Sequence, residues 1–276
     1  MGRVKRKRTR LMSEVFGIDV SHYQGKIDWK KVKESGKAFA IMKCMYEAQS
    51  HRIDETFENN YRGAGIYGIA RGVYIFIGRA SIADPVADAK ALLGHLKDRP
   101  LEYGIWLDYE SDFLRKEGKE RIKKLTAIYA DMFRAAGYYV GIYCNRDWYL
   151  NVIHPDLKKE FDFWVARYPK NDVGKYSPTF NLRPSKDMAV AWQYSSKGRI
   201  DGIGPFVDLD VDYDGIVSLI AETAHRKTNE EIVEEVLQGK WGTKNTKPTR
   251  KELLTRAGYD YETIRKLVNA AYSKKN

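Results

Sequence analysis

Three consecutive segments decide the fold: FAIMKC (residues 39–44), ETFENNYRGA (55–64) and GVYIFI (72–77). The outer two are short, apolar and rich in β-branched and aromatic residues, as in buried strands, and the middle one has helical spacing. Two strands joined by a helix normally lie parallel in one sheet and are connected by a right-handed crossover. The stretch therefore predicts a βαβ unit of an α/β protein.

The same alternation extends along the chain. Further strands are predicted at residues 15–20, 104–109, 140–143, 163–166, 189–194 and 206–210, and further helices at 29–34, 85–96 and 120–136. Eight strands in all favour a closed (β/α) barrel of parallel strands. Prolines fill the connections after residue 143, so we expect an irregular barrel with few helices in its last third. An open doubly wound sheet is the alternative, but no glycine-rich phosphate loop follows a strand.

The 276 residues divide into three predicted parts. Residues 1–11 form a basic N-terminal extension, and residues 12–224 form the barrel domain. Residues 225–276 form a small all-α module, because amphipathic helical patterns recur at 230–237, 250–257 and 261–271. A hydrophobic content of 43% is enough for packed cores, so the chain is expected to be globular.

Basic charge is concentrated at the two ends of the chain, whose net charge is +11. Residues 1–11 contain six basic and no acidic side chains, and residues 226–276 contain twelve basic and seven acidic ones. The remainder is balanced, which argues against nucleic-acid binding by the main domain. A polyanion such as a teichoic acid would be attracted by the ends.

Several classes of protein are disfavoured by what the sequence lacks. No apolar run is long enough to span a bilayer, and no apolar segment follows the basic N-terminus as in a secretory signal. We therefore expect synthesis in the host cytoplasm and no membrane insertion. Cys44 and Cys144 lie in apolar runs and are expected to be buried free thiols. The histidines show no metal-ligand spacing, so no metal and no other cofactor is predicted.

A pair of carboxylates ends the fourth predicted strand, in WLDYE (residues 106–110). Strand residues two apart share a face, so Asp108 and Glu110 point one way and Tyr109 the other. In a parallel barrel this end is the catalytic mouth. Neighbouring carboxylates repel when both are ionised, so one keeps its proton, as a general acid for glycosidic cleavage must. A solvated loop after a strand is the competing interpretation.

Two further acidic segments lie at predicted strand ends. Asp19 ends the first strand in GIDVSHYQG, and Asp208, Asp210 and Asp212 alternate with apolar residues in VDLDVDYD (residues 207–214). An acidic strand face is tolerated in a core only where it opens on water or a site. A turn acid, a solvated edge strand and a calcium site are the alternatives, although the loop lacks the glycine and distal glutamate of an EF-hand. A barrel would bring strands one, four and eight to one rim.

In order and spacing, the motifs resemble glycoside hydrolase family 25, the lysozymes of phages and Streptomyces. The resemblance covers about residues 15–215 and rests on GIDVSHYQG, FAIMK, DETFENNYRGAGIYGIARGVYIF, WLDYE, GIYCN, FWVARY, AWQYSS and GPFVDLDV. It implies a flattened barrel with the β-1,4-N-acetylmuramidase activity of a lysozyme or phage endolysin. The implied partner is peptidoglycan, at the bacterial cell wall.

The resemblance also implies roles for individual residues. By position in these motifs, Glu110 is the proton donor, and Asp108 orients or stabilises the substrate's acetamido group during its attack. Asp19 and Asp208 match the remaining acids of the family cleft. The positions expected to contact sugar are Tyr74, Tyr143, Trp192 and Gln193.

The chain departs from the family pattern at two places. KCMYEAQ stands where the family usually has Thr-Glu-Gly, with Glu47 in place of that glutamate, and Ile75 stands where the family often has histidine. These departures concern substrate contacts near the second and third strands. They do not concern the catalytic acids.

The tail, about residues 229–272, resembles a CW_7-type cell-wall-binding repeat found behind some phage lysozymes. GKWG and RKELLTRAGYDYETIRKLVN carry this likeness. It implies binding to the muropeptide, with one copy giving less avidity than several. Trp241, Arg250 and Tyr259 are the candidate contacts, and a place in the small core of the module is their competing role.

Three other functions are weighed against this one. A chitinase would have DxxDxDxE, but the first two acid positions are Tyr103 and Trp106. A non-catalytic wall-binding protein on an inactive barrel is disfavoured because all four acids are present. Nucleic-acid binding is left only to residues 1–11, where it would be sensitive to salt and blind to sequence.

Overall fold

The computed structural model describes residues 14–46, 51–97, 99–213, 215–216, 229–246, 249–256 and 261–273. The predicted extension at residues 1–11 lies outside them. The chain divides into two compact units, residues 1–224 and residues 225–276.

Eight strands form a closed barrel in sequence order. Their bounds are β1 Val15–Val20, β2 Phe39–Lys43, β3 Ala70–Phe76, β4 Ile105–Tyr109, β5 Val140–Asn145, β6 Phe163–Ala166, β7 Ala191–Gly198 and β8 Val207–Asp212. The predicted irregular eight-stranded barrel is thus confirmed.

The expectation that every strand is parallel is wrong for β8. Strands β1 to β7 are parallel to their neighbours, whereas β8 pairs antiparallel with both β7 and β1. The physical reason is the short connection at residues 199–206, which leaves no room for the crossover that a parallel pair needs. As a result, the beginning of β8 lies beside the carboxyl end of β1, where Asp208 pairs with Asp19.

Helices surround the barrel in its first two thirds. Their bounds are α1 Trp29–Glu34, α2 Phe57–Ile66, α3 Arg79–Ala83, α4 Pro85–His95, α5 Asp112–Lys116, α6 Gly118–Ala135 and α7 Pro155–Glu160. The longest, α6, buries Ile122, Leu125, Tyr129 and Phe133, whose spacing of three and four residues makes one face apolar. Between α7 and β7 the described chain has no helix, as its prolines predicted.

The barrel interior is filled by large aromatic side chains. Its buried cluster consists of Phe39, Ile41, Tyr103, Trp106, Tyr143, Trp164, Ala166, Val190, Ala191 and Ile216. Two strand glycines make room for this packing. A Cβ on Gly17 would lie 2.3 Å from the ring of Phe39, and one on Gly141 would lie 2.4 Å from the ring of Trp106.

The layer between strands and helices mixes aliphatic and aromatic side chains and contains both cysteines. Cys44 and Cys144 are free and buried, which confirms the sequence prediction. Burial raises the pKa of both thiols, so neither is a reactive thiolate at neutral pH. Among the residues described, no helix combines the length and apolar character needed to cross a bilayer.

The second unit contains three described helices, α8 Asn229–Leu237, α9 Arg250–Arg256 and α10 Tyr261–Ser273. They bury a small core made of Ile232, Val233, Val236, Leu254, Ile264 and Val268. Each core residue comes from the apolar stripe that the helical spacing of the sequence predicts.

Candidate active site

A pocket opens at the carboxyl ends of β1 and β4, where the first residues of β8 also lie. Its lining comes from seven strands and from the connections that follow three of them. The lining residues are Asp19, Val20, Ser21, Tyr23, Gln24, Tyr74, Asp108, Glu110, Tyr143, Trp164, Tyr168, Gln193 and Asp208. The four predicted catalytic acids therefore meet in one place, as a barrel mouth requires.

Strand alternation positions the pair on β4 as the sequence predicted. Asp108 and Glu110 both line the pocket, whereas Tyr109 points outward and shares a hydrogen bond of 2.7 Å with the Thr126 hydroxyl on α6. Asp108 is buried, with only 6% of its surface exposed, and Glu110 lies exposed at the outer edge. The two acids thus occupy an inner and an outer level of the same pocket.

Burial governs the protonation of this pair. It raises the pKa of Asp108 well above its usual range, and the neighbouring Glu110 adds to the effect. Burial also raises the pKa of Glu110. Since two close carboxylates in a poorly solvated pocket oppose each other's charge, the pair retains a proton at a pH where exposed carboxylates are ionised.

The acidic stripe of β8 runs inward from the mouth. Asp208 lines the pocket, and burial with the nearby charges of Glu110 and Asp172 raises its pKa to about 6. Asp210 is fully buried and accepts a hydrogen bond of 2.8 Å from Trp164 Nε1. Asp212, deeper still, accepts hydrogen bonds from backbone N–H groups after the strand. Because β8 is paired with a neighbour on each side, the stripe is not a solvated edge.

Gln193 is held by three pocket residues. Its Oε1 accepts hydrogen bonds from the hydroxyls of Tyr143, at 2.7 Å, and Tyr168. Because both tyrosines donate to the oxygen, the amide nitrogen must point the other way, and Nε2 donates to Asp19 Oδ2 at 2.6 Å. Gln193 was expected to contact sugar, and the structure places it in the pocket as the group that orients Asp19.

Of the other expected sugar contacts, two lie in the pocket and one does not. Tyr74 and Tyr143 line it. Trp192 is 1% exposed, donates to the backbone carbonyl of Arg167 at 2.8 Å, and packs in the outer layer. Because Trp192 and Gln193 are adjacent on β7, their side chains face opposite sides of the strand. Only Gln193 faces inward, and the expectation for Trp192 is corrected accordingly.

Sequence reasoning missed several lining residues. Trp164 and Tyr168 belong to FWVARY, and Ser21, Tyr23 and Gln24 belong to the loop after β1. Trp164 lies two residues before Ala166 and therefore shares its strand face. Strand alternation would have identified Trp164 as an inward-facing residue. No periodic signal identifies Tyr168, which lies beyond the strand.

Two residues near the pocket, His22 and Ile75, do not line it and have contacts elsewhere in the barrel domain. His22 follows Asp19 by three residues, but its ring nitrogen Nδ1 lies 3.0 Å from Asp54 Oδ2 and the residue does not line the pocket. Ile75 is buried on the outer face of β3, so the substitution of the usual histidine falls in the packed layer. Glu47 lies outside the described residues.

The predicted contacts of the second unit have roles within that unit. Trp241 packs against the small core and donates to Glu235 at 3.0 Å. The Arg250 guanidinium donates twice to the carbonyl of Gly242, at 3.0 and 2.7 Å. Tyr259 lies outside the described residues. Within the described part of the chain, no group of three or more potential metal ligands comes together.

Two family models match the chain. Glycosyl hydrolases family 25 matches residues 18–203, which contain Asp19, Asp108 and Glu110. The CW_7 repeat matches residues 230–271, which span the described helices of the second unit except Asn229 at the start and Tyr272 and Ser273 at the end.

Two of the curated relatives are named lysozymes. Lysozyme M1 of Streptomyces globisporus is 31% identical over 205 residues, covering 71% of this chain and 67% of that protein. An autolytic lysozyme of Clostridium acetobutylicum is 27% identical over 202 residues, and the match spans only 56% of that protein. The crystal structure of a bacterial lysozyme from Streptomyces coelicolor superimposes with a TM-score of 0.61 at 25% identity, covering 77% of this chain and all of the other.

Proposed function

This chain belongs to glycosyl hydrolases family 25, and from that membership we infer that it is a lysozyme that hydrolyses peptidoglycan in bacterial cell walls. The bond cleaved is the β-1,4 link between N-acetylmuramic acid and N-acetylglucosamine. One observation carries the assignment of the site: Asp19, Asp108, Glu110 and Asp208, from three strands, line a single pocket.

Glu110 is the general acid in this proposal. It lies at the outer edge of the pocket, where a bound glycan is accessible, and partial desolvation of its carboxyl raises its pKa. A protonated carboxyl can give its proton to the glycosidic oxygen as the bond to the anomeric carbon breaks. The resulting Glu110 carboxylate can then take a proton from the water that completes hydrolysis.

Asp108 assists the substrate's own nucleophile. The acetamido oxygen of the muramic acid residue attacks the anomeric carbon while the leaving sugar departs with the proton from Glu110. Asp108 lies two residues deeper on the same strand face, where it can accept a hydrogen bond from the acetamido N–H. Water then opens the cyclic intermediate at the anomeric carbon and restores the acetamido group.

Asp208 supplies negative charge to the developing cation. With a pKa raised to about 6, it is largely ionised at neutral pH. It lies opposite Asp19 in the register of β8 and β1 and contributes to the same pocket wall. A carboxylate there stabilises the oxocarbenium-like centre.

The second unit increases the time that the enzyme spends on its substrate. Its match to the CW_7 repeat and its basic charge support binding to the wall. Because Trp241 and Arg250 are used within the unit, its ligand contacts are proposed to come mainly from other surface residues.

The test is the variant Glu110→Gln, which keeps the shape of the side chain and removes its proton donor. We expect lysis of purified walls to fall by roughly 100- to 10,000-fold. The melting temperature should stay within a few degrees of wild type, and the variant should still sediment with walls. A version ending at residue 224 should sediment less.

The matched control is Glu34→Gln, an exposed glutamate at the end of α1 that does not line the pocket. It should lyse walls at the wild-type rate. If Glu110→Gln released new reducing ends as fast as wild type, the catalytic assignment would be rejected. Equal sedimentation of the full-length and shortened variants would reject the binding role of the second unit.

A further inference from the structure

One buried carboxyl below the pocket has no part in the mechanism above. Asp210 is 0% exposed, and its Oδ2 is shielded from solvent and lacks a hydrogen-bond donor. Its other oxygen accepts from Trp164 Nε1 at 2.8 Å. A buried acceptor without a donor is costly, so the group that faces Oδ2 decides what this residue does.

The carboxyl of Asp19 is a neighbour of Asp210 on the inward face of the barrel. Gly17 is the register partner of Asp210, and Asp19 lies two residues further on the same inward face of β1. This placement brings the two carboxyls close enough for each to alter the protonation of the other. Two carboxylates cannot hydrogen-bond to each other, whereas one proton held between the pair would supply the donor that Asp210 Oδ2 lacks.

The surroundings decide which carboxyl carries that proton. Asp210 receives the Trp164 N–H and the attraction of the buried Lys37 ammonium, both of which favour its ionised form. Burial and the charge of Asp208 oppose the ionisation of both carboxyls, and Asp19 has one amide hydrogen bond, from Gln193, to favour its ionised form. The proton therefore belongs on Asp19, with Asp210 as the acceptor.

We propose that Asp210 is a positioning residue, which accepts a hydrogen bond from the protonated carboxyl of Asp19 and so keeps Asp19 uncharged and fixed against Gln193. This inference rests on the proposed function, because Asp19 lines the pocket in which the glycan is cleaved. The consequence for catalysis is a division of charge. With Asp19 neutral, Asp208 can ionise at the mouth without a second negative charge directly beside it.

No other group facing the pair changes its charge near neutral pH except Asp208. The titratable and charged groups that face Asp19 or Asp210 are Lys37, Tyr74, Tyr103, Tyr143, Tyr168, Tyr194 and Asp208. Burial raises the pKa of every one of these tyrosines, so they stay neutral. Burial lowers the pKa of Lys37, but Asp210 opposes that change.

The informative variant is Asp210→Asn. Trp164 can only donate, so it selects the amide oxygen of Asn and leaves the amide nitrogen facing Asp19. A donor in that place favours the ionised form of Asp19, which reverses the direction of the hydrogen bond. The charge then lies directly beside Asp208, and the acid limb of the pH profile of kcat/KM should move upward by roughly one pH unit or more.

A direct readout does not depend on activity. In the full chain carrying ¹³C-labelled aspartate carboxyls, the resonance that Asp19→Asn removes should have the shift of a protonated acid at pH 7. In Asp210→Asn the same resonance should move to the ionised position. The wild-type measurement requires no substitution at Asp210, so the proposal is tested even if that variant does not fold.

The control is Asp201→Asn, an exposed aspartate in the connection between β7 and β8, which should change neither readout. An ionised Asp19 in the wild-type chain at pH 7 would overturn the proposal. So would an acid limb in Asp210→Asn that stays in place or moves to lower pH. Because the resonance is measured without substrate, a failure of the proposed lysozyme activity would be recognised separately.

Discussion

The barrel interior has two layers that are built from the same strands. The mouth is the pocket with the carboxyls of Asp19, Asp108 and Asp208, and the floor is the buried cluster around Phe39, Tyr103 and Trp106, which is aromatic. On β4, Trp106 is part of the aromatic floor and Asp108, two residues on, is part of the mouth. On β1 the corresponding pair is Gly17 and Asp19. Two residues of strand advance the chain by about 6.6 Å, so one such step along β1 or β4 separates the aromatic layer from the layer of carboxyls at the mouth.

The difference teaches where stability and function are located. The floor packs Phe39 against Tyr103 with ring centroids 4.2 Å apart and is sealed by close contacts at Gly17 and Gly141. The mouth holds carboxyls whose pKa values are raised because their charged forms are poorly solvated. The floor should therefore stabilise the barrel, and the mouth should cost stability that catalysis requires.

The largest expected effect comes from Trp106→Ala. Trp106 is completely buried, donates to the Tyr103 carbonyl at 2.8 Å, and meets Trp164 edge to face. Its removal should cost about 3–5 kcal/mol of unfolding free energy, measured by urea denaturation. Phe180→Ala, at a side chain that is 98% exposed, is the control and should change stability little. An equal loss of unfolding free energy in both variants would contradict the conclusion that packing of the floor stabilises the barrel.

Asp208→Asn tests the mouth through its pH dependence. The pKa of Asp208 is raised from 3.8 to about 6, so the folded state binds the proton more tightly than the unfolded state does. Protonation of Asp208 therefore stabilises the folded state. This contribution to the free energy of unfolding is fully present below pH 3.8 and is lost as the pH rises through 6. The loss at pH 8 is roughly 3 kcal/mol at most, because one pKa unit corresponds to about 1.4 kcal/mol.

We therefore expect Asp208→Asn to be more stable than wild type at pH 8, with a difference that fades toward pH 4. Thermal unfolding of both proteins across this range measures it. Wall lysis should fall at the same time, since the carboxylate is gone. A variant that is less stable than wild type at pH 8 would show that Asp208 contributes to stability as the floor residues do.

The smallest changes in unfolding free energy are expected from two matched glycine substitutions. Gly141→Ala places a methyl group 2.4 Å from the Trp106 ring and should cost about 1–3 kcal/mol by overpacking the floor. Gly94→Ala, in α4, meets no atom within 4 Å and should gain up to about 1 kcal/mol from helix propensity. Chemical denaturation should give opposite signs. The same sign in both would mean that the floor has room to adjust.

Much of the fold could be predicted from local patterns. The strands at residues 15–20 and 163–166 have the predicted bounds, as does the helix at 29–34. Each is specified by its own apolar spacing, which depends only on neighbouring residues. The inward face of β4 was equally local, since alternation places Asp108 and Glu110 together.

Contacts between distant segments could not be predicted in this way. The direction of β8 depends on a short connection and on closure of the barrel, and it decides that Asp208 rather than Asp212 lies at the mouth. Trp192 looked like a sugar contact in AWQYSS, but the phase of β7 turns Gln193 inward instead. Tyr168 reaches the pocket from a loop, where side chains do not alternate regularly between two faces.

The order of apolar and acidic residues in the sequence was enough to determine an eight-stranded barrel with carboxyls at strand ends. The spacing of apolar residues in strands and helices follows from backbone geometry, so it can be recognised without the tertiary structure. Only the tertiary structure decided which carboxyls share a pocket, which of them is paired with Gln193 and which with Trp164. Those pairings join residues up to 174 positions apart. Their energies depend on burial and on neighbouring charges, which exist only once the barrel has closed.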